Sequence, residues 1–137
     1  MNELELYTRT WGATAVPFGP LSETQWITIP SQQRAVSLLN QTAALRSVML
    51  LSGGNGMGKS TLVGRWVRQL EPRLYTPVNL TQATLSSSGL LASLARGVGK
   101  RASMRRERNL DELSSYLSEH ERQTLLIVLD DAQNCTH

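Results

Sequence analysis

The chain is predicted to fold as an α/β domain with a mostly parallel sheet, because strand-like and helix-like patterns alternate along it. The apolar runs Val48-Met49-Leu50-Leu51 and Leu125-Leu126-Ile127-Val128-Leu129 have the continuous hydrophobicity of strands buried on both faces. Segments between them carry apolar residues at helical spacing, as in Leu62, Val63, Trp66, Val67 and Leu70. A glycine-rich loop joins the first run to that helix. With 137 residues, 40% hydrophobic and 18% charged, the sequence has the size and balance of one globular domain, which excludes a disordered tail or a fibrous repeat.

Residues 1–30 read as an irregular lead-in, with Pro17, Pro20 and Pro30 beside Gly12 and Gly19. Trp11, Phe18 and Trp26 are expected to anchor it on a core. Residues 31–137 form the domain proper. Ser31 is the expected N-cap of a helix over 32–45, with Ala35, Leu38, Leu39, Thr42 and Leu45 on one face. A strand at 48–51 follows, then the loop, then a helix from Lys59 that Glu71-Pro72 ends. Tyr75–Leu80 is the next strand, and Pro77 within it predicts a place at the sheet edge. Ser86–Ser88 cap a helix carrying Leu90, Leu91, Leu94 and Val98, whose end Gly97 and Gly99 loosen. Asn109 with Glu112 resembles a capping box that opens a helix with Leu110, Leu113 and Leu117. Leu125–Leu129 is the last strand.

The formal charge is +3, and of the 14 basic residues only Lys59 and Lys100 are lysines. A single cysteine, Cys135, forms no internal disulfide, and with His120 and His137 it makes no recognisable metal site. The five-residue apolar run at 125–129 falls far short of the roughly 20 residues of a membrane helix. The N-terminus is acidic where a signal peptide is positive. The expectation is a cytoplasmic protein without membrane insertion.

Gly53-Gly54-Asn55-Gly56-Met57-Gly58-Lys59-Ser60 fits G-x-x-x-x-G-K-[ST] without a mismatch. Glycines let backbone N–H groups curl around a phosphate, and the helix N-terminus behind them adds partial positive charge. The pattern assigns Lys59 to the β- and γ-phosphates of ATP, Ser60 to Mg2+ and Thr61 to the α-phosphate side. The bland alternative is a flexible glycine turn. The buried run before it and the amphipathic helix after it favour the phosphate loop, or Walker A motif.

The Leu125 strand ends in two carboxylates, Asp130 and Asp131. In phosphate-loop proteins such a strand, the Walker B element, places its first acid beside the nucleotide's Mg2+. Asp130 is the expected metal-side residue and Asp131 the expected general base toward the attacking water. A polar turn after a core strand is the competing reading.

These motifs, with Pro17-Phe18-Gly19 upstream and Leu129-Asp130-Asp131-Ala132-Gln133-Asn134 at the end, resemble AAA+ ATPases. The nearest group in that resemblance holds the general-secretion-pathway A protein and the helper ATPases of bacterial transposons. Those relatives usually read D-E-A-Q after the strand, so Asp131 stands one methylene short of their glutamate base. The resemblance implies ATP hydrolysis that drives a partner assembly, in a homo-oligomer, with DNA or a transposase as partner. It also implies a sensor strand between the Val48 and Leu125 strands, an arginine finger and a helical lid. No segment of the 137 residues supplies these, so the expectation is a fragment or a product truncated after the Walker B strand; a natural short form that closes its sheet differently is the alternative.

Arg96, Lys100, Arg101, Arg105, Arg106 and Arg108 place six positive charges in 13 residues, relieved only by Glu107. A charge run is usually a solvated loop; contact with a DNA backbone is the functional reading. No aromatic residue is interleaved, which argues against stacking on single strands. Beside the ATPase stand two rivals: a non-catalytic nucleotide-binding or interaction remnant of a mobile element, and a small-molecule phosphate-loop kinase, for which no acceptor-binding region is recognisable.

Overall fold

The computed structural model describes residues 3–12, 26–27, 29–80 and 86–132. Seven elements form in them: α1 (Glu3–Trp11), α2 (Pro30–Ala44), α3 (Lys59–Gln69), β1 (Tyr75–Leu80), α4 (Ser87–Gly97), α5 (Arg106–Glu119) and β2 (Thr124–Leu129). The chain divides into two units, Met1–Gln33 and Arg34–His137.

In the first unit, α1 replaces irregular chain over Glu3–Trp11 of the lead-in expected for residues 1–30, of which 1–2, 13–25 and 28 lie outside the described residues. Its nine residues hold neither proline nor glycine, so nothing breaks the helix before Gly12. Trp11 is 79% exposed and anchors no core. Trp26 is half-buried, and Phe18 lies outside the described residues.

Proline opens α2, where its missing N–H is not needed by the helix. The Ile29 carbonyl accepts the N–H groups of Gln32 and Gln33 at 3.0 and 3.1 Å. Ser31, expected as the cap, therefore lies inside the first turn. At the other end Arg46 takes a left-handed φ of 50°. Its N–H donates to the Ala43 carbonyl at 3.2 Å and that of Ser47 to the Thr42 carbonyl at 3.0 Å, a Schellman ending built without glycine. In the second unit α2 and α3 share a core cluster of Leu39, Ala43 and Trp66, joined by Val63, Val67, Leu70, Tyr75 and Leu126. Trp66 is 4% exposed. Its indole N–H donates to Asn40 Oδ1 at 2.7 Å, so the buried donor is satisfied by the neighbouring helix.

β1 and β2 pair in parallel, in register from Tyr75↔Thr124 to Leu80↔Leu129, with α4 and α5 as the crossover. Among the described residues β1 has a neighbour on one side only, a place where Pro77 is tolerated. The period of two sorts the side chains. Val78, Leu80 and Leu125 pack with Leu94, Ala95 and Leu113 of α4 and α5, while Tyr75 and Leu126 meet the α2–α3 cluster. Helices thus cover both faces of the short sheet.

The cap of α4 is Ser86, whose Oγ accepts the Gly89 N–H at 3.2 Å. Gly97 does more than loosen the end of α4. An added methyl there would run into Val78 Cγ1 and stand 3.0 Å from its Cγ2, so glycine is what lets the helix close on β1. Beyond it, the Gly99 N–H donates to the Arg96 carbonyl and the Lys100 N–H to the Ala95 carbonyl, at 3.0 and 2.9 Å.

The strand expected at 48–51 does not form. Val48 and Leu50 are 98% and 83% exposed, Leu51 is half-buried, and Met49 packs on the α2–α3 cluster. An apolar run becomes a strand by exchanging backbone hydrogen bonds with a neighbour, and the described sheet holds β1 and β2 alone.

Candidate functional site

The glycine-rich loop runs from residue 53 to the start of α3 at Lys59. Its backbone is left-handed at Gly56 (φ 76°) and Gly58 (φ 80°), conformations that side chains other than those of Asn and Asp rarely adopt. Gly58 is the N-cap of α3, and its carbonyl accepts the Leu62 N–H at 2.9 Å. Having no side chain, it caps none of the first N–H groups, those of Lys59, Ser60 and Thr61. Their partial positive charge faces the loop.

Lys59 Nζ donates to the carbonyls of Gly53 and Gly54 at 2.9 and 3.0 Å. An ammonium has three donors, so two tie the front of the loop to α3 and one remains for a ligand oxygen. Asn55, Met57, Ser60 and Thr61 are exposed. The donor set is cationic, rich in backbone N–H and solvent-facing, which fits an anionic polyphosphate.

The two acids stand at the carboxyl ends of the parallel strands, where open α/β sheets bind ligands. The Asp130 N–H donates to the Leu80 carbonyl at 3.0 Å, extending the ladder by one bond and fixing the backbone there. Asp130 Oδ1 accepts the Asp131 N–H at 3.0 Å. Asp131 has a φ of 55°, a conformation that aspartate tolerates better than most residues. The chain therefore turns sharply straight after β2, with Asp130 half-buried and Asp131 exposed. Among the described residues no hydrogen bond or ion pair joins Asp130 to the phosphate loop. Their link is packing: Met49, before the loop, and Leu126 of β2 both rest on the Leu39–Ala43–Trp66 cluster.

An open hollow of about 380 Å³, lined by Arg73, Glu119, His120, Arg122 and neighbours, lies at the other end of the strands. His120 stacks on Tyr116 with ring centroids 4.2 Å apart, a packing role. The described residues hold no group of three His, Cys, Asp or Glu side chains able to bind a metal, and Cys135 and His137 lie outside them.

Sequence reasoning missed the role of Asn109. It opens no helix: α5 starts at Arg106, and Asn109 is 1% exposed inside its first turn. Its Oδ1 accepts the Ser103 N–H at 2.8 Å and its Nδ2 donates to the Ser103 carbonyl at 2.9 Å. The Asn-x-x-Glu spacing resembles a cap, and nothing local reveals that the amide reaches back to a residue six positions upstream. In the same segment Lys100 Nζ pairs with Glu119 Oε2 at 3.2 Å. That hydrogen bond, helped by one from Ser115 and by the lysine's charge, lowers the Glu119 pKa below the usual glutamate value.

A glycine loop turning into an uncapped helix, with an acidic strand end on a parallel sheet, defines a phosphate-loop nucleotide-binding protein of the α/β class. Residues 43–137, more than half of the chain, match the family model described as an AAA domain, so the chain belongs to the AAA family of P-loop ATPases. No curated protein and no solved structure matches it. No described helix is long and apolar enough to cross a membrane.

Proposed function

We propose that this chain binds Mg·ATP on residues Gly53–Thr61 and hydrolyses it. The observation that carries the reading is the left-handed Gly58 opening an uncapped α3 while Lys59 bridges back to the loop, a cradle of backbone donors around a cation. Lys59 holds the β/γ-phosphates, and the N–H groups from Asn55 to Thr61 take the remaining oxygens. Ser60 and Asp130 are the residues that would hold Mg2+, which neutralises charge building on the transferred phosphoryl group. Asp131 polarises the attacking water. By resemblance, the work done is assembly or remodelling of a partner complex by a homo-oligomer, of the DNA-transposition or secretion type.

A second reading, nucleotide binding without turnover, draws on the conformation of the acids. The Asp131 N–H occupies one oxygen of Asp130, and the short Asp131 side chain stands on a left-handed residue just past the strand. Equilibrium binding of a fluorescent ATP analogue and phosphate release by the full chain separate the two. Loss of one charged hydrogen bond, about 1.5–3 kcal/mol, makes Lys59→Ala weaken binding at least about tenfold. Asp131→Ala keeps binding and loses about a hundredfold or more in turnover. Turnover that survives both changes overturns the hydrolytic assignment, and binding without any turnover in the unmutated chain selects the second reading.

A further inference from the structure

We propose that the segment Arg96–Arg108 is a docking surface for the phosphate backbone of a nucleic-acid duplex. The inference stands on its own observations and does not rest on the nucleotide reading. Six of the fourteen basic residues and one of the eleven acidic residues fall in this segment, which leaves the rest of the chain with eight basic against ten acidic. The positive field of the molecule is therefore local.

Lys100 is neutralised by Glu119 and Arg96 leans on Ser93 Oγ at 3.2 Å. The side chains of Arg101, Arg105, Arg106 and Arg108 are exposed and bond to no described residue. Glu107, within the segment, and Asp111 and Glu112, one turn along α5, are the acids nearest in sequence, and none of them pairs with these arginines.

The loop that carries these charges is held firmly. Asn109 clamps both the N–H and the carbonyl of Ser103, Ser103 Oγ accepts the Arg105 N–H at 3.2 Å, and the α4 ending fixes Gly99 and Lys100. A buried amide is thus spent on positioning a surface loop whose tip, Met104, is 100% exposed. The arrangement also opposes local stability. Arg105, Arg106 and Arg108 gather at the start of α5, where the helix is itself partly positive and acids are preferred. Arginine's planar fork bonds phosphate in bidentate fashion, and all four unpaired cations are arginines. With no aromatic side chain in the segment, bases have nothing to stack on, so the contact is with a duplex backbone.

Fluorescence anisotropy of the full chain with a labelled mixed-sequence duplex of about 20 base pairs, over about 50–200 mM KCl, tests this. Four neutralised phosphates give a log–log salt slope of about −3.5, a loss of roughly a hundredfold across that range. Arg105→Ser/Arg106→Ser should reduce the slope by about two. The charge-matched Arg34→Ser/Arg68→Ser, on α2 and α3, should keep it, and circular dichroism checks that both variants fold. Four results overturn the proposal: no duplex binding at 50 mM salt, equal losses in both double variants, tighter binding to a single strand of the same length, or arginine-dependent binding of polyglutamate in place of the duplex. The last would make this a surface for acidic protein.

Discussion

Replacing Gly97 by alanine sets two effects of opposite sign against each other. On helix propensity alone Gly97→Ala stabilises α4 by up to about 1 kcal/mol. On packing it does the reverse. The new methyl would collide with Val78 Cγ1 while standing 3.0 Å from Cγ2 and 3.3 Å from Cβ. Because Cβ itself is close, turning the valine about χ1 brings one methyl or the other into the same space, and a β-branched side chain has few rotamers to spare. Retreat of Val78 is blocked as well, since it is 3% exposed and packed with Leu94, Ala95 and Leu113.

Overpacking of this kind costs about 1–3 kcal/mol, so the expected net effect is destabilisation of about 1–2 kcal/mol. Urea unfolding followed at 222 nm reads it as a lower midpoint at unchanged slope. The decisive control is a double-mutant cycle. Val78→Ala alone leaves a cavity and costs about 2 kcal/mol. Combined with Gly97→Ala, the added methyl fills part of that cavity, so the pair should cost less than the sum by about 1–3 kcal/mol. A neutral or stabilised Gly97→Ala, or strictly additive costs, would refute the close approach of α4 to β1.

Asn109→Ala removes two hydrogen bonds to Ser103 and strands both backbone groups, a loss of about 2–3 kcal/mol before a small gain in helix propensity. The same urea assay, with hydrogen exchange at the Ser103 amide, checks it, and a change under about 0.5 kcal/mol or unaltered exchange counts against the clamp. For Glu119, the folded pKa is lowered by Lys100 and Ser115, so its contribution is present above the ordinary glutamate pKa and fades as pH falls through the lowered value. Glu119→Gln should therefore differ from the parent chain at pH about 6 and converge with it at pH about 3, more faintly in high salt because the pair is exposed. A difference that grows on acidification would reverse the sign of that linkage.

Local patterns carried the helices and the paired strands of the second unit. The turn chemistry of Gly58–Lys59, the Ser86 cap and the proline in β1 each act within a few residues, and each is where its pattern indicates. Non-local partners were not legible. Val48–Leu51 and Leu125–Leu129 look alike as apolar runs, yet only the second finds a parallel neighbour, Tyr75–Leu80, about 50 positions away, and hydrophobicity does not encode that pairing. The same limit hid Asn109, whose partner lies upstream of a helix that begins earlier than its spacing implies. In the first unit, breakers at 12, 17 and 20 masked α1, although a breaker ends a helix only from its own position onward. For the candidate site the residue types were readable, but the left-handed Asp131 and the route from loop to acid were not, because both depend on how β2 ends and on what Met49 touches.

That route bears on how the site would respond to a ligand. In a sheet-built site the phosphate loop and the acid are held by strands of one sheet, and backbone hydrogen bonds across the sheet fix their separation. Here Asp130 is fixed by the ladder through Leu80, whereas the segment before the loop has Val48 and Leu50 in solvent, Leu51 half-buried and Met49 packed on the α2–α3 cluster. The loop is held rigidly from one side, by α3, whose Trp66 is locked to Asn40. A polyphosphate bridging the α3 N-terminus and the Asp130 end would join parts of the fold that side-chain packing alone now connects. Packing contacts are short-ranged and weaken quickly with displacement, so those parts can shift against each other at lower cost than paired strands can. Ligand binding to the native state raises stability by RT ln(1 + [L]/Kd), and it also restrains that relative motion. Saturating nucleotide should accordingly protect the 45–54 segment from exchange more than it protects β1 or β2, which their ladder already holds.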